Sequence, residues 1–227
     1  GETVKSGYAI LQPRVSVQLE SAGKSWFSKL YAGNPGVDPY VTAASDVYQD
    51  LFAEGSFTGK GIFDLHAFER SLADAFPENT ILSHDLIEGC HARVGLVSNI
   101  EVFDGQPSRF EADARRTHRW VRGDWQLLPW LYPYIPSATG WKRNALSWLS
   151  WWKIADNLRR SLNAPMLLLA VIAGWFLLPA LSVWWTGLAL FFMLLPVVVQ
   201  VFLVLRSRPL KIGFVDYLRS VITNLAK

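Results

Sequence analysis

Between Arg160 and Arg206 the chain carries 45 consecutive residues, Ser161 to Leu205, without an Asp, Glu, Lys, Arg or His. One bilayer crossing needs roughly 20 apolar residues, so this run is long enough for two. It predicts a transmembrane helical hairpin within residues 163–207, with spans Pro165 to Trp185 and Gly187 to Leu205 meeting near Thr186 and Gly187. Pro179 and Pro196 lie inside the spans, where membrane helices tolerate proline better than soluble ones do. A buried hairpin in a large soluble core is the competing reading, but such helices rarely lack every charge over this length. Arg159 and Arg160 stand before the run and Arg206, Arg208 and Lys211 after it, while the intervening turn is uncharged. By the positive-inside rule both ends are cytoplasmic and the turn is outside.

Composition agrees with that division. Of the 227 residues 51% are hydrophobic and 18% charged, against roughly 25% charged in a soluble domain. Intrinsic disorder is excluded. A single cysteine, Cys90, excludes a disulfide scaffold and a cysteine-based zinc cluster. The net charge of +3 argues for no nucleic-acid partner. The chain opens on Gly1 with no signal-peptide pattern, so it is expected to be a piece of a larger polypeptide.

Ten of the 11 tryptophans fall between Trp120 and Trp185. Within residues 141–160, Trp141, Ala145, Trp148, Leu149, Trp152 and Ala155 recur at helical spacing. Lys142, Arg143, Asn144, Ser147, Ser150, Lys153, Asp156 and Asn157 take the opposite side. A tryptophan-loaded face opposite a basic one predicts an amphipathic helix in the headgroup region, within segment 137–162. Docking of that helix on the protein itself is the alternative, and both can hold, with the polar face carrying a cytosolic domain. Residues 208–227 repeat apolar side chains at similar spacing and read as a second amphipathic segment.

Residues 1–136 mix strand and helix signals and predict a cytosolic α/β domain with a partly parallel sheet. Tyr8 to Leu19 reads as a strand, with Pro13 favouring an edge position or an entry. Helices are expected over 41–54, from Leu65 to Ala75, from an N-cap at Ser83 through Arg93, and from Ser108 to Leu128. Gly95 to Phe103 reads as a second strand, and residues 55–63 as a glycine-punctuated loop or bent strand. Asp46, Asp50, Glu54 and Asp64 read as solvated charges.

Two strings carry chemistry, Ser83 to Gly89 (SHDLIEG) and Arg115 to Gln126 (RRTHRWVRGDWQ). Arg116, Arg119 and Trp120 stand at i, i+3 and i+4, on one helix face. Two guanidiniums there suit phosphate oxygens, and an indole offers a flat surface for a sugar ring. Asp85 falls in the first turn of its helix, where the dipole favours a carboxylate that could act as a general base. Surface salt bridges and a core tryptophan are the plainer readings of the same residues. His66, His84, His91 and His118 have no metal-ligand spacing, so no metal site is expected among them. Gly59-Lys60-Gly61 is no P-loop, because the spacing and the following Ser or Thr are absent.

An acidic motif, then R-x-x-R-W about 30 residues on, then a tryptophan-rich helix and membrane spans resembles the processive family-2-like membrane glycosyltransferases. Those enzymes carry T-E-D and Q-x-x-R-W where this chain has Ser83-His84-Asp85 and Arg116-Thr117-His118-Arg119-Trp120. The departures, with LQPRV, YQDLFAEGSFTGKGIFD, ILSHDLIEGCHARVGLVS and RTHRWVRGDWQLLPWL, are similar to the cyclic β-1,2-glucan synthase branch, over most of residues 7–131.

The resemblance implies the C-terminal part of a GT-A-like domain at the cytoplasmic face of a bacterial inner membrane, multi-pass in topology. It implies inverting transfer of glucose from UDP-glucose to a growing β-1,2-glucan. Asp85 would be the base, Arg116 and Arg119 would hold the diphosphate or the acceptor end, and Trp120 would stack on the terminal glucose. Gln12, Arg14, Lys60 and Asp124 would line the same cleft, with His84 and His118 at its flanks. The family's D-x-D for Mg2+ or Mn2+ is not found before Ser83; Glu111-Ala112-Asp113 follows it and reads as a solvated helix face. The donor and metal half is therefore expected upstream, in other domains of the same polypeptide, leaving residues 1–227 inactive alone. A membrane polysaccharide synthase of another linkage, or a non-catalytic membrane-anchored sugar-binding or transport component, are the alternatives.

Overall fold

The computed structural model describes residues 3–25, 27–28, 46–82 and 84–206. The chain divides into two compact units, Gly1–Arg160 and Ser161–Lys227.

The first unit is mixed α/β. Its main sheet has three strands, β1 (Ile10–Val17), β2 (Ile62–Phe63) and β3 (Val94–Asp104), in the order β2-β1-β3. β1 runs antiparallel to β2 and parallel to β3, so β1 is central rather than the edge that Pro13 suggested. The proline is accommodated because the ladder shifts register there: Pro13 pairs with Val97 but Arg14 with Glu101. A bulge leaves positions without ladder bonds, and a residue lacking an N–H costs little at one. Beyond it the two parallel strands end together, Val17 opposite Asp104.

Short helices α1 (Leu19–Ala22), α2 (Val47–Phe52), α3 (Leu65–Leu72) and α4 (Asp85–Ala92) lie between β1 and β3 in the chain. Asp46 caps α2, its Oδ1 accepting from the Tyr48 N–H at 2.8 Å, and Asp64 caps α3 through the Ala67 N–H at 3.0 Å. Asp46 is thus a buried cap and not a solvated charge; burial raises its carboxyl above the usual range. Residues 41–45 of the expected first helix, and Ser83, the expected cap of α4, lie outside the described residues. His84 takes the cap position of α4 without a side-chain capping bond.

α5 (Phe110–Gln126) follows β3, and a 3-10 turn (Leu128–Leu131) leads into a hairpin of β4 (Tyr134–Ser137) and β5 (Gly140–Arg143). Trp141 to Arg143 are therefore a strand, correcting the helix expected from 141. Gly140, at φ +114°, turns the hairpin, and Asn144 closes it by donating to the Trp130 and Tyr132 carbonyls. α6 (Trp148–Leu177) starts only where Ser147 Oγ accepts from the Ser150 N–H. It then continues unbroken for 30 residues, so the expected interfacial helix and first span are one helix.

Two apolar clusters hold this unit. Ala9, Ile10, Phe57, Ala92 and Val94 pack on the sheet; Ile87, Cys90, Leu127, Trp130, Ile135 and Ile154 join α4, α5, the hairpin and the start of α6. Over 148–160, α6 buries Leu149, Ser150, Lys153, Ile154, Asp156 and Leu158 and exposes Trp148, Trp151 and Trp152. Lys153 Nζ donates to Glu54 Oε1 at 3.0 Å and to the Gly55 carbonyl at 2.8 Å. Arg93 lies 3.8 Å from the other Glu54 oxygen, so Glu54 too is bound inward and not solvated.

In the second unit a 3-10 turn, Pro179–Leu181, separates α6 from α7 (Ser182–Arg206). The break precedes Thr186 and Gly187, correcting the expected division: Pro179 has no N–H with which to continue the ladder. Gly174 lets Trp185 approach, since a Cβ there would sit 2.9 Å from the Trp185 Cβ. Trp175 Nε1 donates to Thr186 Oγ1 at 2.8 Å. Among the described residues one helix, α6, is long and apolar enough to cross a membrane. Residues 208–227 lie outside the described residues.

Candidate functional site

Open α/β sheets bind ligands beyond the carboxyl ends of their parallel strands. Here those ends are Arg14 to Val17 of β1 and Glu101 to Asp104 of β3. Asp85, first residue of α4, keeps its side chain 39% exposed, and the neighbouring His84 is 56% exposed. The glycine loop before β2 presses on this acid. Gly59 sits at φ +84°, and a Cβ on it would stand 2.8 Å from Asp85 Oδ2. Only glycine meets both demands.

The loop is pinned at two further points. Gln12 is fully buried; its Oε1 accepts from the Thr58 N–H at 3.0 Å and its amide donates to the Pro13 carbonyl at 2.9 Å. It supports the loop from inside and has no open face of its own. Lys60 Nζ donates to Asp104 Oδ2 at 2.8 Å, at the end of β3. Burial alone would raise the Asp104 carboxyl. The hydrogen bond and charge of Lys60, the Gly105 N–H and the charge of Arg116 together hold it below the usual range. Asp85, Gly59, Lys60 and Asp104 thereby form one chain of neighbours, and the charge of Arg116 also acts on Asp104. A direct bond also ties the end of α5 to the segment that precedes α4: the Leu82 N–H donates to Gln126 Oε1 at 2.8 Å.

On α5, Arg116 donates to Asp113 Oδ1 at 2.8 Å and lays its guanidinium over the Trp120 ring, 4.8 Å from the centroid. Asp113 is thus paired and half-buried, correcting its reading as a solvated face. Arg119 is exposed, with no hydrogen bond or ion pair among the described residues, and His118 is exposed beside it. Arg14 reaches Glu101 at 3.5 Å across the strands, and Ser16 bonds to the same carboxylate. Asp124 lies two turns along α5, where Asn157 Nδ2 donates to its Oδ1 at 3.4 Å; that contact faces the start of α6.

His84 Nδ1 is 2.8 Å from Glu88 Oε1 and 3.9 Å from Asp85 Oδ1. Burial raises the Glu88 carboxyl, and His84 partly offsets this. Donor atoms of His84, Asp85 and Glu88 all lie within 4.8 Å of one another. An imidazole already engaged with Glu88 fits Mg2+ poorly, since hard cations favour oxygen ligands. At the far end of α4, burial and the charge of Lys142 lower His91 to about 4, and burial pushes the Cys90 thiol up to about 11. Both are core residues, and His66 is exposed on α3.

Asp104, Glu101 and Glu88 escaped the sequence reading. The first two act through strand pairing, which has no local sign. Glu88 stands four residues after His84, a spacing that could have been read on the helix. The Asp113 to Arg116 spacing of three carried the same kind of signal.

No protein-family model matches the chain. It is 47% identical over 176 residues to the "Cyclic beta-(1,2)-glucan synthase NdvB" of Rhizobium meliloti (strain 1021), a match covering 77% of the chain. The chain is homologous to a segment of that synthase. It spans 6% of the synthase's length.

Proposed function

We propose that this chain forms the acceptor-side part of a membrane glucosyltransferase that builds β-1,2-glucan from UDP-glucose. The observation that supports the reading is the run of neighbours from Asp85 through Gly59 and Lys60 to Asp104 at the carboxyl end of β3, with the charge of Arg116, which lies over the Trp120 ring, acting on Asp104. An acid, basic side chains and an indole are the groups a glucosyl transfer calls for, and the chain is homologous to a segment of a glucan synthase.

In this mechanism Asp85 takes the proton of the acceptor 2-hydroxyl as its oxygen attacks the anomeric carbon of the donor. The new C–O bond forms on the face opposite the departing UDP, so configuration inverts. A positioned base contributes about 10²- to 10⁴-fold. Arg119 meets the diphosphate or the acceptor end, and Trp120, with Arg116 over its ring, stacks on the terminal sugar. The domain is the C-terminal part of a GT-A-like fold, and a D-x-D elsewhere in the polypeptide would hold Mg2+ or Mn2+, which would neutralise charge on the leaving diphosphate.

A bilayer partner is supported by the length and apolarity of α6 and by the indoles exposed on its first turns. The hairpin of α6 and α7 crosses the inner membrane, and the basic residues flanking it keep the catalytic part in the cytoplasm. Membranes holding the complete synthase should incorporate label from UDP-glucose into a glucan whose linkage analysis gives 2-substituted glucose. A different linkage would redirect the reading to another polysaccharide. No incorporation from any nucleotide sugar would overturn it.

A further inference from the structure

The two arginines of the R-x-x-R-W string are held in different ways. The Arg116 side chain is only 20% exposed, its fork donates to Asp113 at 2.8 Å, and its Nε is buried without a hydrogen-bond partner. Its Cζ stands over the indole of Trp120, 4.8 Å from the centroid. Arg119, one turn away, is exposed and without a partner among the described residues. A guanidinium paired to a carboxylate has most of its charge answered and its donors directed away from any anion. Planar stacking on an indole is something Arg does and Lys does not.

We propose that Asp113 and Arg116 form a shelf under Trp120, with the Asp113-held guanidinium fixing the indole as a one-sided platform for an acceptor sugar, and that anion binding falls to Arg119. Arg116 is then a positioning residue: it acts through Trp120 and not on the nucleotide. This assignment rests on the reading of Trp120 as a sugar platform. With one face of the indole covered, a sugar ring can stack only on the other, which fixes the side from which the acceptor hydroxyl is presented.

The complete synthase in membranes gives the test, with KM for UDP-glucose measured by label incorporation and affinity for β-1,2-glucotetraose measured by titration. Arg116→Lys keeps the charge and loses the stack. It should weaken glucotetraose binding about tenfold while leaving KM for UDP-glucose within about twofold. Asp113→Asn should act in the same direction, and Asp113→Glu should recover most of the affinity. Arg119→Gln should raise KM for UDP-glucose instead. Unchanged glucotetraose affinity in Arg116→Lys would overturn the shelf, as would a donor KM that rises in Arg116→Gln and recovers in Arg116→Lys. Should the wild type bind glucotetraose without incorporating glucose, the transfer reading falls, and loss of that binding in Arg116→Lys would still support the shelf. Should Asp113→Asn fail to accumulate, the Arg116→Lys comparison decides alone.

Discussion

Two helices of the first unit sort their side chains in opposite ways. α5 turns Glu111, Arg115, Arg119 and Arg122 outward and sets its apolar end, Leu127 with Trp130 just beyond, into the core. The first turns of α6 bury Lys153, Asp156 and Ser150 and leave Trp148, Trp151 and Trp152 exposed. Water alone would not select the second arrangement, because it gives up charge hydration and leaves indoles wet. On the proposed membrane placement, the inversion is what a helix with protein on its polar side and lipid on the other would show, since tryptophan is favoured at the headgroup level.

The comparison breaks most sharply at Lys153. Its buried ammonium answers Glu54 and the Gly55 carbonyl, so Lys153→Ala should destabilise the unit by about 3 kcal/mol, the usual cost of stranding a buried partner. Denaturant unfolding in detergent would measure it, and a loss below about 1 kcal/mol would mean that the polar face of α6 is not anchored as described.

Next comes the buried histidine that α4 presents to the same core. His91 is held at about 4 when folded and has an ordinary value of 6.5, so the unfolded chain binds its proton first as pH falls. Stability from this group is fully present above about 6.5 and is lost as pH falls toward 4, by up to about 3 kcal/mol. His91→Phe should flatten that part of the pH profile; an unchanged slope would assign the acid sensitivity to other groups.

The smallest effect is the most specific to the inversion. Ile154→Ala, at a site 1% exposed, should cost about 2–3 kcal/mol. Trp152→Ala removes a larger side chain from a site 46% exposed and should cost at most about 0.5 kcal/mol. A larger loss at Trp152 than at Ile154 would place protein, and not lipid, against the tryptophan face.

What could be read in advance follows the range of the interaction. Helical periodicity and strand alternation are local, so α3, α5 and β3 were legible close to their ends. The central position of β1 was not, because Pro13 argues for an edge unless one knows that the ladder shifts at it. The start of α6 was misplaced for a similar reason: the amphipathic pattern runs back through Trp141, but pairing with β4 captures residues 140–143. Within the candidate site, spacing put Asp85 in the first turn of its helix and Arg119 and Trp120 on one helix, and the structure has them there. The approach of Gly59 to Asp85 and the grip of Asp104 on Lys60 join residues 26 and 44 positions apart, and only the fold brings them together. Asp124 and Gln12 are expected in the cleft from the resemblance, and the fold gives them neighbours at the α6 contact and beneath the loop.

The central claim, that Asp85 is the base of a glucosyl transfer, is tested most directly by Asp85→Asn in the complete synthase at matched expression. Incorporation from UDP-glucose should fall by about a thousandfold while UDP binding is retained. Equal incorporation by mutant and wild type would remove Asp85 from the chemistry and contradict the account.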